Sequence, residues 1–133
     1  MTATEHLGKL QLSIMRVLWS AGEATVNDVH EALRRSHGLA PTTIATMLKK
    51  MERKGVVAHR TEGRRFVYRP TVSEALVTRS MVTELAERLF GGDKVALVSH
   101  LLTAHEVDAD ELAALQRQID AARQGAGQDE EKA

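Results

Sequence analysis

Apolar residues recur at three- and four-residue intervals through Leu7, Leu10, Ile14, Val17 and Leu18, the spacing of one helical face. Ser20-Ala21-Gly22 interrupts that pattern, and Gly22 suits the position just past a helix end. Thr25-Val26-Asn27-Asp28 has the form of a capping box, in which the threonine and the acid each accept the other's backbone N–H. The helix it opens sets Val26, Val29 and Leu33 on one face and closes near His37-Gly38. Pro41 predicts the first turn of a third helix, where its missing N–H costs nothing. That helix is expected to reach Lys54, with Gly55 as its stop.

The period then changes. Residues 56–60 and 65–69 are β-prone runs around Thr61-Glu62-Gly63-Arg64, which predicts a hairpin closed by Pro70. Three helices followed by a hairpin are the order of a winged helix-turn-helix, a mainly α fold with a small β-hairpin. That order leaves function open, because winged helices also serve as protein-interaction modules.

Beyond Pro70 the pattern is helical. Thr71-Val72-Ser73-Glu74 offers a second capping box before a helix carrying Leu76, Val77, Met81, Leu85, Leu89 and Phe90. Gly91-Gly92 breaks it, and Asp93 can cap the next helix, where Val95, Leu97, Val98, Leu101 and Leu102 leave almost no polar face. Asp108 and Glu111 open a last helix with the stripe Leu112, Leu115, Ile119 and Ala122. From Gly125 the composition reads as a disordered acidic tail. The expected organisation is a winged domain over residues 1–72, a helical arm over 73–124 and a tail over 125–133.

Charge gives these halves different partners. The net charge is zero, yet residues 1–80 carry 13 Lys/Arg against 7 Asp/Glu, while residues 81–133 carry 5 against 11. With Ile44 at the origin and 100° per residue, Met47, Leu48 and Met51 fall within about 60° of it, the core side. Thr42, Thr46, Lys49, Lys50 and Arg53 fall between about 140° and 240°, with no acid among them. Glu52 lies on the flank. Threonines and cations suit a helix laid in the major groove, where threonine methyls meet thymine and cations reach phosphate or guanine. Arg60, Arg64 and Arg65 crowd the hairpin tip and Arg69 follows, against Glu62. Such a wing can follow the backbone or enter the minor groove. The partner these features imply is double-stranded DNA.

The helix from Asp93 is apolar nearly all round, so it needs cover on more than one side. A second copy would supply it across a two-fold interface, with Leu76, Met81, Leu85, Leu89, Phe90, Val95, Val98, Leu101, Leu102, Leu112, Leu115 and Ile119 as candidate dimer contacts. The other solution is an arm folded back on its own winged domain. Aromatics are 3% of the 133 residues, so the core is aliphatic and small, a condition that self-association often remedies.

Other classes find little support. There are no cysteines, which excludes disulfides, thiolate nucleophiles and Cys-based metal sites. Residues 1–10 have no apolar signal core and no apolar run approaches a membrane span, so a cytoplasmic location and no membrane insertion are expected. The six histidines are scattered, with no His-Glu-x-x-His pair and no Gly-x-Ser-x-Gly turn, so neither an enzyme nor a metal or other cofactor is expected. His105-Glu106-Val107-Asp108 reads as a solvated turn. A small-molecule sensor and a protein-interaction module stay as alternatives.

Several stretches resemble the penicillinase-repressor (BlaI/MecI) family, over about residues 7–122. They are Ile14-Met15-Arg16-Val17-Leu18-Trp19, Thr42-Thr43-Ile44-Ala45-Thr46-Met47-Leu48, Lys54-Gly55-Val56-Val57 and Gly91-Gly92-Asp93. The resemblance implies a homodimeric repressor of resistance or stress operons, bound to a palindromic operator. It places base and phosphate contacts at Thr42, Thr43, Ala45, Thr46 and Lys50; Ala45 departs from the arginine of some members. It also implies release by a membrane sensor-protease cutting the arm, often at an Asn-Phe bond, which aligns here with His100-Leu101. A copper-responsive branch with a cysteine-rich tail does not match a chain without cysteine.

Overall fold

A computed structural model describes residues 7–104 and 106–132, with side chains to Ala126. The chain divides into two compact units, Met1–Leu89 and Phe90–Ala133. The first contains α1 (Lys9–Ala21), β1 (Ala24–Thr25), α2 (Val26–His37), α3 (Pro41–Lys54), β2 (Val57–Glu62), β3 (Arg65–Pro70) and most of α4 (Glu74–Phe90). The second holds α5 (Lys94–Ala104) and α6 (Ala109–Lys132).

The local signals act largely as their chemistry requires. Thr25 accepts from the Asp28 N–H at 3.1 Å, and Asp28 accepts from the Thr25 N–H at 3.0 Å, which satisfies two orphan donors at the start of α2. Gly38 and Gly55 end α2 and α3 in the left-handed conformation. Pro41 lies in the first turn of α3. The hairpin is tighter than expected. β2 continues through Glu62, which pairs with Arg65. The turn is therefore Gly63-Arg64 alone, and Gly63 takes φ 65°, which a side chain would resist.

Two features were not anticipated. Ala24 and Thr25 pair antiparallel with Tyr68 and Val67, making a three-stranded sheet in the order β1-β3-β2. Thr71, expected to cap α4, instead donates its hydroxyl to the Gly55 carbonyl at 2.6 Å and its N–H to Val56 at 2.9 Å. Those bonds tie the end of the wing to the end of α3. Capping falls to Ser73, whose Oγ accepts from the Leu76 N–H at 3.1 Å.

One core serves the first unit. Ile14, Met15 and Leu18 of α1, Val29 of α2, Ile44, Leu48 and Met51 of α3, Val56, Val57 and Tyr68 of the wing, and Val77 of α4 are all buried. Trp19 closes one side, its indole N–H donating to the Val72 carbonyl at 2.9 Å. Val77 is buried in this core and Met81 packs against it, and the first compact unit runs to Leu89. Leu48 is fully buried on the helix that also carries the cationic face. Leu48→Ala should therefore lower unfolding free energy by about 2–5 kcal/mol, read by urea titration of the full chain.

In the second unit, Asp93 accepts from the Ala96 N–H at 3.0 Å and Asp108 from the Glu111 N–H at 2.8 Å, capping α5 and α6. His105, part of the expected solvated turn, lies outside the described residues. α6 runs past the expected end at Gln124 to Lys132, so residues 125–132 are helical where a disordered tail was expected. Gly125 does not take the left-handed conformation that ends α2 and α3. A glycine inside a helix costs only about 1 kcal/mol, and neither Gly125 nor Gly127 acts as a stop here.

Candidate nucleic-acid interface

α3 presents two chemistries on opposite sides. Ile44, Leu48 and Met51 face the core, while Thr42, Thr43, Thr46, Lys49, Lys50 and Arg53 are exposed. Ala45 is half-buried on the flank. Thr42, Thr43, Thr46, Met47 and Lys50 together line a shallow depression. Lys49, Lys50 and Arg53 make no ion pair among the described residues. Their positive charge is not offset by a neighbouring acid.

The one acid on α3 is turned to a structural task. Glu52 is paired with the imidazole Nδ1 of His59 on β2, at 2.6 Å from Oε2, with the other carboxylate oxygen closer still. His59 stacks on Phe66 at 4.2 Å between ring centroids and lies beside Tyr68. Burial, assisted by the Glu52 charge, pushes the Tyr68 hydroxyl pKa up. The Glu52–His59 pair thus bridges α3 to the base of the wing and removes a carboxylate from the cationic face.

On the wing the four arginines are not equivalent. Arg60 is held by Glu23, which precedes β1, and by Glu62 at 2.8 Å. The hydrogen bond to Arg60 lowers the Glu23 carboxyl pKa, and the same bond raises that of Arg60. Arg65 reaches Glu62 at only 3.8 Å, between exposed groups, a contact of little energetic weight. Arg64, in the turn, forms no ion pair among the described residues. The wing charge available to a polyanion therefore centres on Arg64 and Arg65. Sequence position alone grouped Arg60 with them, because Glu23 is distant along the chain.

Sequence reading also missed a polar network behind α3. Gln11, buried on α1, donates from Nε2 to the Met47 sulfur at 3.2 Å and accepts from Lys54 Nζ at 2.8 Å. The only hint was a lone glutamine beside the apolar face of the first helix.

The candidate dimer contacts remain uncovered in the single chain. Leu76, Leu85 and Leu89 on α4 are exposed, and Met81, half-buried, lines an apolar depression with Leu85 and Leu89. In the second unit Val95 is 78% exposed, and Val98, Leu101, Leu102, Leu112, Leu115 and Ile119 are also exposed. Phe90 is half-buried and its ring meets that of His100 at 5.8 Å. α5 has no buried residue at all. His100 and Leu101 lie within α5, so the bond between them is helical. Among the described residues no helix is long and apolar enough to cross a membrane.

Comparison with known proteins agrees with this geometry. The profile described as penicillinase repressor matches residues 7–121. The chain is 36% identical over 121 residues to the transcriptional regulator BlaI of Mycobacterium tuberculosis, covering 90% of this chain and 86% of that one. It is 27% identical over 107 residues to the penicillinase repressor of Bacillus licheniformis, covering 80% and 84%. Among solved structures, the DNA-binding domain of the repressor BlaI superposes with a TM-score of 0.50 at 33% identity, covering 56% of this chain and 92% of that one.

Proposed function

The chain belongs to the penicillinase repressor family, and on that premise we propose that it is a homodimeric, cytoplasmic transcriptional repressor of a palindromic operator. It is a DNA-binding regulator and not an enzyme. The observation that carries the reading is the outward face of α3, where Thr42, Thr46, Lys49, Lys50 and Arg53 are exposed together with no acid among them. In this reading α3 lies in the major groove, Thr42, Thr43, Ala45 and Thr46 meet base edges, and Lys49, Lys50 and Arg53 meet phosphates or guanine. Arg64 and Arg65 extend the contact from the wing.

The uncovered apolar surface of α4, α5 and α6 supports the dimer. A two-fold pair sets two recognition helices on half-sites about one helical turn, or a multiple of it, apart. Release follows from the same architecture. A membrane sensor-protease cutting near His100-Leu101 would divide α5, the helix whose cover a second copy provides. Because that bond is helical, cutting requires α5 to unwind locally.

Titration of the full chain against DNA from its own promoter region, at increasing salt, tests the repressor reading. Specific binding should weaken with a log–log slope of about −0.9 for each phosphate neutralised. Equal affinity for promoter and random duplex at every salt concentration would overturn it.

A further inference from the structure

We propose that the depression formed by Thr42, Thr43, Thr46, Met47 and Lys50 is a thymine-reading pocket, with Met47 as its apolar floor and Gln11 as the residue that positions it. The inference rests on the DNA-binding reading and adds a base preference to it, through a residue that sequence periodicity had assigned to the core.

Three observations support this. Met47 is half-buried, packed against the core on one side and lining the DNA-facing depression on the other. Thr46 commits its hydroxyl proton to the Thr42 carbonyl at 2.9 Å, so what it offers a base edge is its methyl and not a donor. Gln11 Nε2 donates to the Met47 sulfur at 3.2 Å, while Gln11 Oε1 is held by Lys54 at 2.8 Å and by the Gly8 N–H at 3.4 Å. Methionine is otherwise a flexible side chain that fills gaps without specifying shape. Held from behind by a buried amide, it becomes a fixed apolar surface.

A fixed apolar floor beside Thr46 matches one feature of the major groove, the thymine C5-methyl. Cytosine presents a hydrogen there in place of the methyl, so it leaves the methionine floor without an apolar partner. Lys50, on the rim, is the charged group of the pocket and can reach a phosphate or a neighbouring guanine.

The test uses the full chain and duplexes it enriches from a random pool. Each thymine of an enriched half-site is replaced in turn by deoxyuridine, which removes only the methyl. At one position per half-site the replacement should weaken binding about four-fold, the loss expected for one buried methyl. Met47→Ala should bind thymine and uracil duplexes equally at that position, whereas Met47→Leu should keep the preference. Gln11→Leu should narrow it, with thermal unfolding of each variant measured alongside. Enrichment without sensitivity to any thymine methyl, or sensitivity that survives Met47→Ala, would overturn the pocket and leave DNA binding standing. A chain that enriches no sequence would overturn both.

Discussion

Shortening the chain to residues 1–89 should weaken operator binding at least a hundred-fold while leaving the winged unit folded. Among the described residues, every buried apolar one, from Leu7 to Ala86, lies within that fragment, so its core is intact. What the cut removes is α5 and α6, whose apolar residues are exposed in the single chain. If a second copy covers them, the full chain holds two recognition helices together, and the second half-site is met at a high effective concentration. That gain is on the order of a hundred- to ten-thousand-fold and disappears when the link is lost. Sedimentation equilibrium of both forms, paired with operator titration, separates the causes. A fragment that is monomeric, cooperatively folded and as tight on DNA as the full chain would remove the dimer from the mechanism.

The second large effect is expected from reversing charge on α3. Lys49→Glu with Lys50→Glu places two carboxylates where the proposed interface meets phosphates. Like charges brought together cost several kcal/mol, on the order of a thousand-fold in Kd. Both lysines are exposed in mid-helix, so stability should change little. Arg53 is a poorer choice, because it lies in the last turn of α3 and a carboxylate there opposes the helix dipole. Rising salt should narrow the gap between the native chain and the double variant, since the native chain has more phosphate contacts to lose. Retained affinity in a folded double variant would move the DNA contact off α3.

Both experiments depend on features that are unequally legible in sequence. The boundaries of α2 and α3 were readable because capping is local: Thr25 and Asp28 satisfy one another across three residues, and Gly38 and Gly55 take conformations that side chains resist. The outward face of α3 was readable because one helix fixes which residues point together. Long-range pairings were not. β1 is two residues long and exists only because β3 passes beside it. Thr71 has the sequence signature of a cap, yet its hydroxyl is drawn to the Gly55 carbonyl, so Ser73 caps instead. Glu23 is remote from Arg60 in sequence and neutralises it in space. Met47 falls on the core side by periodicity, but its half-buried side chain also lines the outer depression. The extent of α6 differs from the sequence expectation for a different reason. An isolated glycine lowers helix propensity without supplying a stop, and the helix continues through Gly125.

The bond from the Trp19 indole to the Val72 carbonyl also determines what spectroscopy can see in this chain. Trp19 is the sole tryptophan and Tyr68 the sole tyrosine, and both belong to the first unit. Ultraviolet emission therefore watches the winged unit alone, and it should brighten or shift when α1 parts from the entry to α4. The proposed assembly and cutting of the arm would be optically silent by comparison. A tryptophan introduced at an exposed arm position such as Val95 would give the second unit its own signal, and the two events could then be timed separately in one sample.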